Sequence, residues 1–345
     1  MSLPETVVTS APAPGPAGSD GPHPEATYAD GMARGLTEVL SSDPTVRLMG
    51  QYFFGLTKHR TLTVGIRERF PDRVWDPPIA EVGYVGTGIG AAISGLRPIV
   101  DVATASFIFQ AFSQVVNEAV NVHYMTGGQT RVPMVIHVNH GIRGGGAAQH
   151  SHSPQAMLMN TPGLKIMTPS SPRDVRGLLH TAVADDNPVL WADHVKLFDT
   201  TGPLPDEPEA IPFGVADIKR RGTDVTIVAT SYMVTKALAA AEILAADGVS
   251  AEVVDPRTLV PLDTEAILGS VGRTGRLVVA DECHQSCGVA AEISALVAEH
   301  AFDSLRGPIR RVVTLDVPIP FSPPLETFVE PTTAKIVAAA RALVG

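Results

Sequence analysis

The sequence predicts an α/β protein built as two successive units, each a mainly parallel sheet covered by helices. Three observations carry this. Beyond Tyr28, short apolar β-rich runs alternate with segments of helical spacing over short connections, the pattern of parallel strands joined by right-handed crossovers. A stretch at 199–215 (DTTGPLPDEPEAIPFGV) with four prolines interrupts that alternation, which then restarts. The chain's 345 residues, 44% of them hydrophobic, suffice for two ordinary cores. The units are expected at 27–200 and 216–345, joined by a linker at 201–215 and preceded by a disordered tail at 1–26, rich in Pro, Gly, Ala and Ser.

In chain order, Met32, Leu36, Val39 and Leu40 fall at helical spacing, with Asp30 available as a cap. Residues 46–50 (VRLMG) read as a buried strand, and 51–76 as irregular and polar, where α/β folds build sites. Residues 81–102 give a glycine-studded helix and then the strand PIVDV. Gly costs about 1 kcal/mol at each interior helix position, so Gly83, Gly86 and Gly90 point to close backbone approach in the core or across a subunit interface. Next come a helix at 112–125, a strand at 132–138, a Gly-rich loop at 139–153, a strand at 163–169, a helix at 171–185 and the strand VLWAD. After the linker, strands at 224–230, 250–256, 275–282 and 309–315 alternate with helices at 234–247, 263–271 and 289–302.

Several function classes drop out. The formal net charge of −10 argues against nonspecific nucleic-acid binding and against docking on an anionic membrane. No apolar run reaches the roughly 20 residues of a spanning helix. Two cysteines make no disulfide framework, and no Lys or Arg precedes Arg34, so neither a signal nor a transit peptide is expected and the protein reads as cytoplasmic. Gly86-Thr87-Gly88 lacks the third glycine of a dinucleotide loop. The sequence also lacks a Walker loop, a nucleophile elbow and the GDG-plus-Asn signature for Mg²⁺ and diphosphate.

Two side chains stand out. Glu81, between Pro77-Pro78 and the Gly-rich helix among apolar neighbours, is expected to be poorly solvated and suited to proton exchange, or else is a first-turn acid favoured by the helix dipole. His150, on the Gly-rich loop after a strand, suits proton transfer near neutral pH, or else bonds backbone. The spacing of His137, His140, His150 and His152 matches no usual metal motif. Cys283 and Cys287 read as buried or half-buried structural thiols.

The blocks DPPIAEVGYVG-x-x-IGAAISGLRPIV, NEAVNVHYMTGGQ-x-x-VPMVI, GAAQHSHS, PGLKIMTPSSPRDVRGLL, DDNPVL, DPRTLVPLDTEAIL, TGRLVVADE and PIPFSPPLE occur in this order over about residues 27–345. Together they resemble the beta subunit of the thiamine-diphosphate-dependent first component of 2-oxo acid dehydrogenase complexes, a plan shared by acetoin dehydrogenase beta subunits. The resemblance implies a transketolase-like pyrimidine-binding domain followed by a transketolase C-terminal domain. It further implies an alpha subunit that holds the diphosphate and Mg²⁺ in an α2β2 assembly, with a lipoyl acyltransferase as a possible further partner. It assigns Glu81 to N1′ of the coenzyme's aminopyrimidine, Phe107 to packing against that ring, Ile79 to an apolar position near the coenzyme, and His150 to the acyl intermediate during transfer to lipoyl. Met134, Ala182, Val183, Asp185 and Asn187 match a potassium site made mostly of carbonyls. Three positions depart from the family: Gln51 replaces a carboxylate, His137 an arginine, and His152 a residue that is often glutamine. All three lie where the resemblance places the passage of acyl substrate or acceptor. The expected activity is decarboxylation of a 2-oxo acid with acyl transfer to lipoyl. The alternatives are an acyloin-forming or acetoin-type enzyme with another acceptor, and a noncatalytic regulatory subunit.

Overall fold

The computed structural model describes residues 23–50 and 60–345, with 60–64 as backbone alone. The first unit runs β1 (Glu25–Thr27), α1 (Tyr28–Ser42), β2 (Val46–Gly50), α2 (Arg60–Arg69), β3 (Val74–Trp75), α3 (Glu81–Ile93), β4 (Arg97–Thr104), α4 (Val122–Met125), β5 (Val135–His140), α5 (Gln155–Met159), β6 (Lys165–Met167), α6 (Pro172–Ala184), β7 (Val189–His194) and β8 (Thr201–Pro203). The second runs β9 (Asp217–Arg220), β10 (Val225–Ala229), α7 (Met233–Ala246), β11 (Ala251–Asp255), β12 (Thr258–Val260), α8 (Thr264–Thr274), β13 (Leu277–His284), α9 (Val289–His300), β14 (Arg310–Thr314), α10 (Pro323–Val329) and α11 (Thr333–Val344). Among the described residues no helix is long and apolar enough to cross a membrane.

Among the described residues the first sheet has seven strands in the order β12-β6-β7-β5-β4-β2-β3, parallel except for the β12–β6 pair. The second has five, β14-β13-β10-β11-β9, parallel except at the β9 edge. Strand β12 follows the linker in sequence yet completes the first sheet. Arg257 turns the chain into it with a left-handed φ of +59°, and its carbonyl accepts the Thr168 N–H at 2.8 Å. One apolar core runs through both units, joining Met134 and Ile136 to Val228, Val254, Leu259 and Val279.

Local chemistry explains where the elements differ from expectation. Glu25 and Ala26, read as tail, pair with Pro203 and Gly202. The cap of α1 is Thr27, whose hydroxyl accepts the Asp30 N–H, while the Asp30 carboxylate accepts the Thr27 N–H, so Asp30 is the N3, first-turn member of a capping box. Within 51–76, read as irregular, Arg60–Arg69 is helical. The helix expected at 112–125 opens into wide π-type turns at Gln114–Ala119 before α4. There the Asn121 amide donates to the carbonyls of Val116 (3.1 Å) and Asn117 (3.2 Å), doing the work of backbone donors. Gly31 lets α1 lie against α6, because a Cβ there would stand 2.4 Å from the Pro172 carbonyl oxygen.

Candidate active site

Strands β5, β4, β2 and β3 are adjacent and parallel, so the segments that follow them leave one edge of the sheet. Sites in parallel sheets form outside the carboxyl ends of the strands. Here β3 leads to Glu81, β4 to Phe107 and β5 to the loop bearing His150. Strand β2 ends at Gly50 (φ +137°), where a Cβ would fall 2.1 Å from the Asp101 carbonyl oxygen. Gln51, the next residue, lies outside the described residues.

Glu81 is the first residue of α3, where the amide ends favour a negative charge. The expectation of a dry carboxyl is corrected. Glu81 is half-buried, and its neighbours Ile79 (72%) and Val82 (49%) are exposed. Among the described residues, no donor lies within hydrogen-bond reach of its carboxylate. Beside it lies a depression of about 370 Å³ lined by Met49, Trp75, Pro77, Pro78, Ala80 and Tyr84. The Tyr84 hydroxyl, which sequence reasoning missed, is buried without a hydrogen-bond partner among the described residues. Burial, then the charges of Glu81 and Asp101, push its pKa far up, so it stays a neutral donor. A carboxylate without a donor, at the rim of an apolar shelf, fits a flat heterocycle that presents one ring N–H. The glycines of α3 divide by side. Gly88 faces the core, where a Cβ would stand 2.6 Å from Val100 Cγ2, whereas Gly86 and Gly90 meet open space.

The loop at 139–153 brings His150 to Phe107, their rings 5.5 Å apart edge to face, while Ser106 Oγ donates to the Gln149 carbonyl. His152 meets Phe109 at 5.4 Å, and its carbonyl accepts the Gly141 N–H at 3.1 Å, closing the loop. Burial, then the nearby His284, lowers the pKa of the half-buried His152, so it is uncharged at neutral pH. His150 is exposed at the loop's tip. The structure thus unites Phe107, His150 and His152 at the edge to which Glu81 is also delivered.

His137 is different: expected along the substrate's path, it is fully buried. Its Nδ1 lies 2.8 Å from Asp101 Oδ1 and its Nε2 lies 3.2 Å from Asp193 Oδ2, with the Trp191 ring at 4.4 Å. Tyr28 OH and Trp191 Nε1 also donate to Asp193. Burial opposes charge on the imidazole, but the bonds to the two carboxylates carry its pKa up to about 9. His137 is therefore an internal cation at the position where the resembled family carries arginine.

The five residues matched to potassium converge at the α6–β7 turn. The Met134 carbonyl accepts the Val189 N–H (2.9 Å), and Arg97 Nη1 donates to the carbonyls of Val183 (2.9 Å) and Asp185 (2.8 Å). The Asp185 carboxylate accepts from Lys165 and from Asn187 Nδ2 (3.0 Å). Each carbonyl retains a second lone pair.

Between the units, His194 Nε2 bonds Glu282, and the neighbouring His140 lies 3.2 Å from Ser231 Oγ and 3.0 Å from Gln155 Nε2. Sequence reasoning found neither Glu282 nor this pairing, which joins residues 88 positions apart. Cys283 is buried, but Cys287 is exposed, which corrects the expectation for the second thiol.

Residues 25–197 match the transketolase pyrimidine-binding domain and residues 214–336 the transketolase C-terminal domain. The chain is 44% identical over 280 residues to the beta subunit of acetoin:2,6-dichlorophenolindophenol oxidoreductase of Cupriavidus necator, covering 81% of this chain and 83% of that one. It is 40% identical over 316 residues to the pyruvate dehydrogenase E1 component subunit beta of Rickettsia felis, covering 91% and 97%. A solved split-gene transketolase, an inactive beta4 tetramer, superposes with a TM-score of 0.76 at 25% identity over 92% of this chain and 97% of that one. The chain belongs to the family of pyruvate and acetoin dehydrogenase beta subunits, built from the transketolase pyrimidine-binding and C-terminal domains.

Proposed function

We propose that this chain is the beta subunit of a heteromeric thiamine-diphosphate enzyme that decarboxylates a 2-oxo acid and passes the acyl group to a lipoyl acceptor. The observation that carries this reading is Glu81, a carboxylate with no protein donor among the described residues, set on an apolar shelf at the sheet edge that also presents Phe107 and His150. The coenzyme, when bound, supplies the electron sink for loss of CO₂. With the coenzyme bound, Glu81 would accept a hydrogen bond from the pyrimidine N1′ and hold a proton there, Phe107 would pack against the ring, and Ile79 would supply an apolar neighbour. Ile79 and Val82, open in this chain, are covered by the coenzyme and an alpha subunit, which dries the carboxylate at assembly. That alpha subunit holds Mg²⁺ and the diphosphate in an α2β2 enzyme. His150 moves a proton during transfer of the acyl group. Met134, Ala182, Val183, Asp185 and Asn187 hold a potassium ion on their spare lone pairs, which a higher melting midpoint in potassium than in sodium chloride checks. The two unpaired thiols suit a reducing compartment such as the cytoplasm.

The test is Glu81→Gln in the enzyme assembled with its alpha chain. Loss of the proton-holding carboxylate lowers 2-oxo-acid turnover by about 10²–10⁴-fold. Unchanged turnover would falsify the reading. The 44% identity to the acetoin oxidoreductase beta subunit supports a second reading, cleavage of acetoin-type substrates with a different acyl acceptor. Assay of pyruvate and acetoin side by side, with dichlorophenolindophenol as oxidant, separates the two.

A further inference from the structure

The loop that carries His150 belongs to the first unit, where Ser106 ties its far end at Gln149, yet the second unit fastens its glycine-rich start. Gly145, at φ +80°, donates its N–H to both oxygens of the Glu326 carboxylate, 3.2 Å from each. Glu326 sits on α10 and is 6% exposed, so its end of this part-buried bond is shielded from water. The Phe321 ring stands 3.7 Å from where a Cβ on Gly145 would be, and Ile142 is buried with Ile319 and Val329. Between this clasp and His150 the backbone is strained at Ala147, whose φ is +51°, while Gly144 and Gly145 at the clasp take φ +80° without such cost. Left-handed backbone at a non-glycine residue persists only where the surroundings over-determine it. Nothing in the sequence between Gly144 and Ala147 supplies such restraint, since three of the four residues are glycine.

We propose that Glu326 is a positioning residue: by clasping Gly145 it fixes the loop so that His150 stands against Phe107 at the mouth of the site. The proposal rests on the reading of His150 as the proton carrier of acyl transfer. Glu81, Ile79 and Phe107 lie on the segments after β3 and β4, and among the described residues the Glu326 carboxylate bonds none of them. Releasing the clasp therefore harms transfer and spares the steps before it. Misplacing a reacting group by about 1 Å can cost on the order of 10²-fold, so loss of the clasp is expected to matter.

The experiment uses the assembled enzyme with Glu326→Ala and Glu326→Gln. Glutamine keeps an acceptor oxygen for the Gly145 N–H, and alanine does not. Three quantities are read: hydrogen exchange across residues 141–152, 2-oxo-acid-dependent reduction of dichlorophenolindophenol, and acyl transfer to free lipoamide. For Glu326→Ala, loop exchange rises about tenfold, and kcat for transfer falls about tenfold with dye reduction held within about twofold. Glu326→Gln recovers most of both losses. Unchanged loop exchange in Glu326→Ala overturns the proposal, as does a parallel fall in dye reduction and transfer, which marks a merely structural residue. His150→Ala with Glu326 intact is the separate control. Full transfer by that variant removes the role of His150, and the proposal with it.

Discussion

At the scale of single residues, charge inside the protein is set by geometry that no local sequence window contains. His137 lies in the apolar strand VPMVIHV, and its neighbours there say nothing of Asp101 or Asp193. Register does: His137 pairs with Asp101 on β4 and with Trp191 on β7, two residues before Asp193. Its pKa rises from 6.5 to about 9 on folding, so its contribution is complete below about pH 6.5 and is lost as pH rises through about 9. The raised value corresponds to about 3 kcal/mol across that window. His137→Gln removes the cation that bonds both Asp101 and Asp193, costs about 3–5 kcal/mol, and abolishes the decline of the melting midpoint between pH 6.5 and 9. Melting curves across that range check both points, and a variant as stable and as pH-dependent as the parent rules the account out. Glu81 and His150 draw attention in the sequence because each sits in a local signature, a Pro-Pro turn before a helix and a Gly-rich loop after a strand. Tyr84 and Glu326 have no such setting, so only the fold exposes them.

At the scale of elements, α3 shows how one helix meets two demands. Apolar periodicity announced the helix and its glycines announced close approach, but which glycine faces which side depends on the helix's rotation over the sheet. Gly88 touches Val100 and Met134, whereas Gly90 meets nothing within 4 Å. Alanine gains about 1 kcal/mol in helix propensity at either position. At Gly88 that gain is outweighed, because a methyl 2.6 Å from Val100 Cγ2 overpacks the core at about 1–3 kcal/mol. Gly88→Ala therefore lowers the melting midpoint of the chain and Gly90→Ala raises it. If the outward glycines serve another subunit, Gly90→Ala also weakens binding of the alpha chain, which titration calorimetry measures. Equal midpoints for the two variants would contradict the assigned rotation. The same dependence on context hid β9 and β12. DIKR is polar, and Thr258–Val260 is too short to announce itself, since each is an edge strand defined by the partner that it pairs with.

At the scale of the whole molecule, the alternation of strands and helices made two units legible but not their interlock. Strand β12 crosses into the first sheet, the apolar core is continuous, and the His194–Glu282 pair bridges the units in a buried setting. A residue that tethers one unit to the other acts on the stability of both, so the molecule should unfold as one body. The Glu282 carboxyl shows the sign of the pH dependence. Burial opposes its charge, but the bond and charge of His194 hold its pKa down at about 2 against an ordinary 4.5. A depressed carboxylate stabilises fully above about pH 4.5, and that support is lost as pH falls towards about 2, a span corresponding to about 3 kcal/mol. His140 acts over a higher window. Burial, then the charge of His194, lowers its pKa to about 3, so stability declines as pH drops below about 6.5, where only the unfolded chain takes up the proton. Glu282→Gln breaks the buried pair, costs about 3–5 kcal/mol at neutral pH, and flattens the acid limb below pH 4.5 while leaving the decline that begins near 6.5. Acid unfolding followed by the fluorescence of Trp75 and Trp191, both in the first unit, and by far-ultraviolet circular dichroism of the whole chain reads this directly. Coincident transitions in the parent, shifted together in the variant, are the expected result, and separate transitions for the two probes would show that the pair does not couple the units.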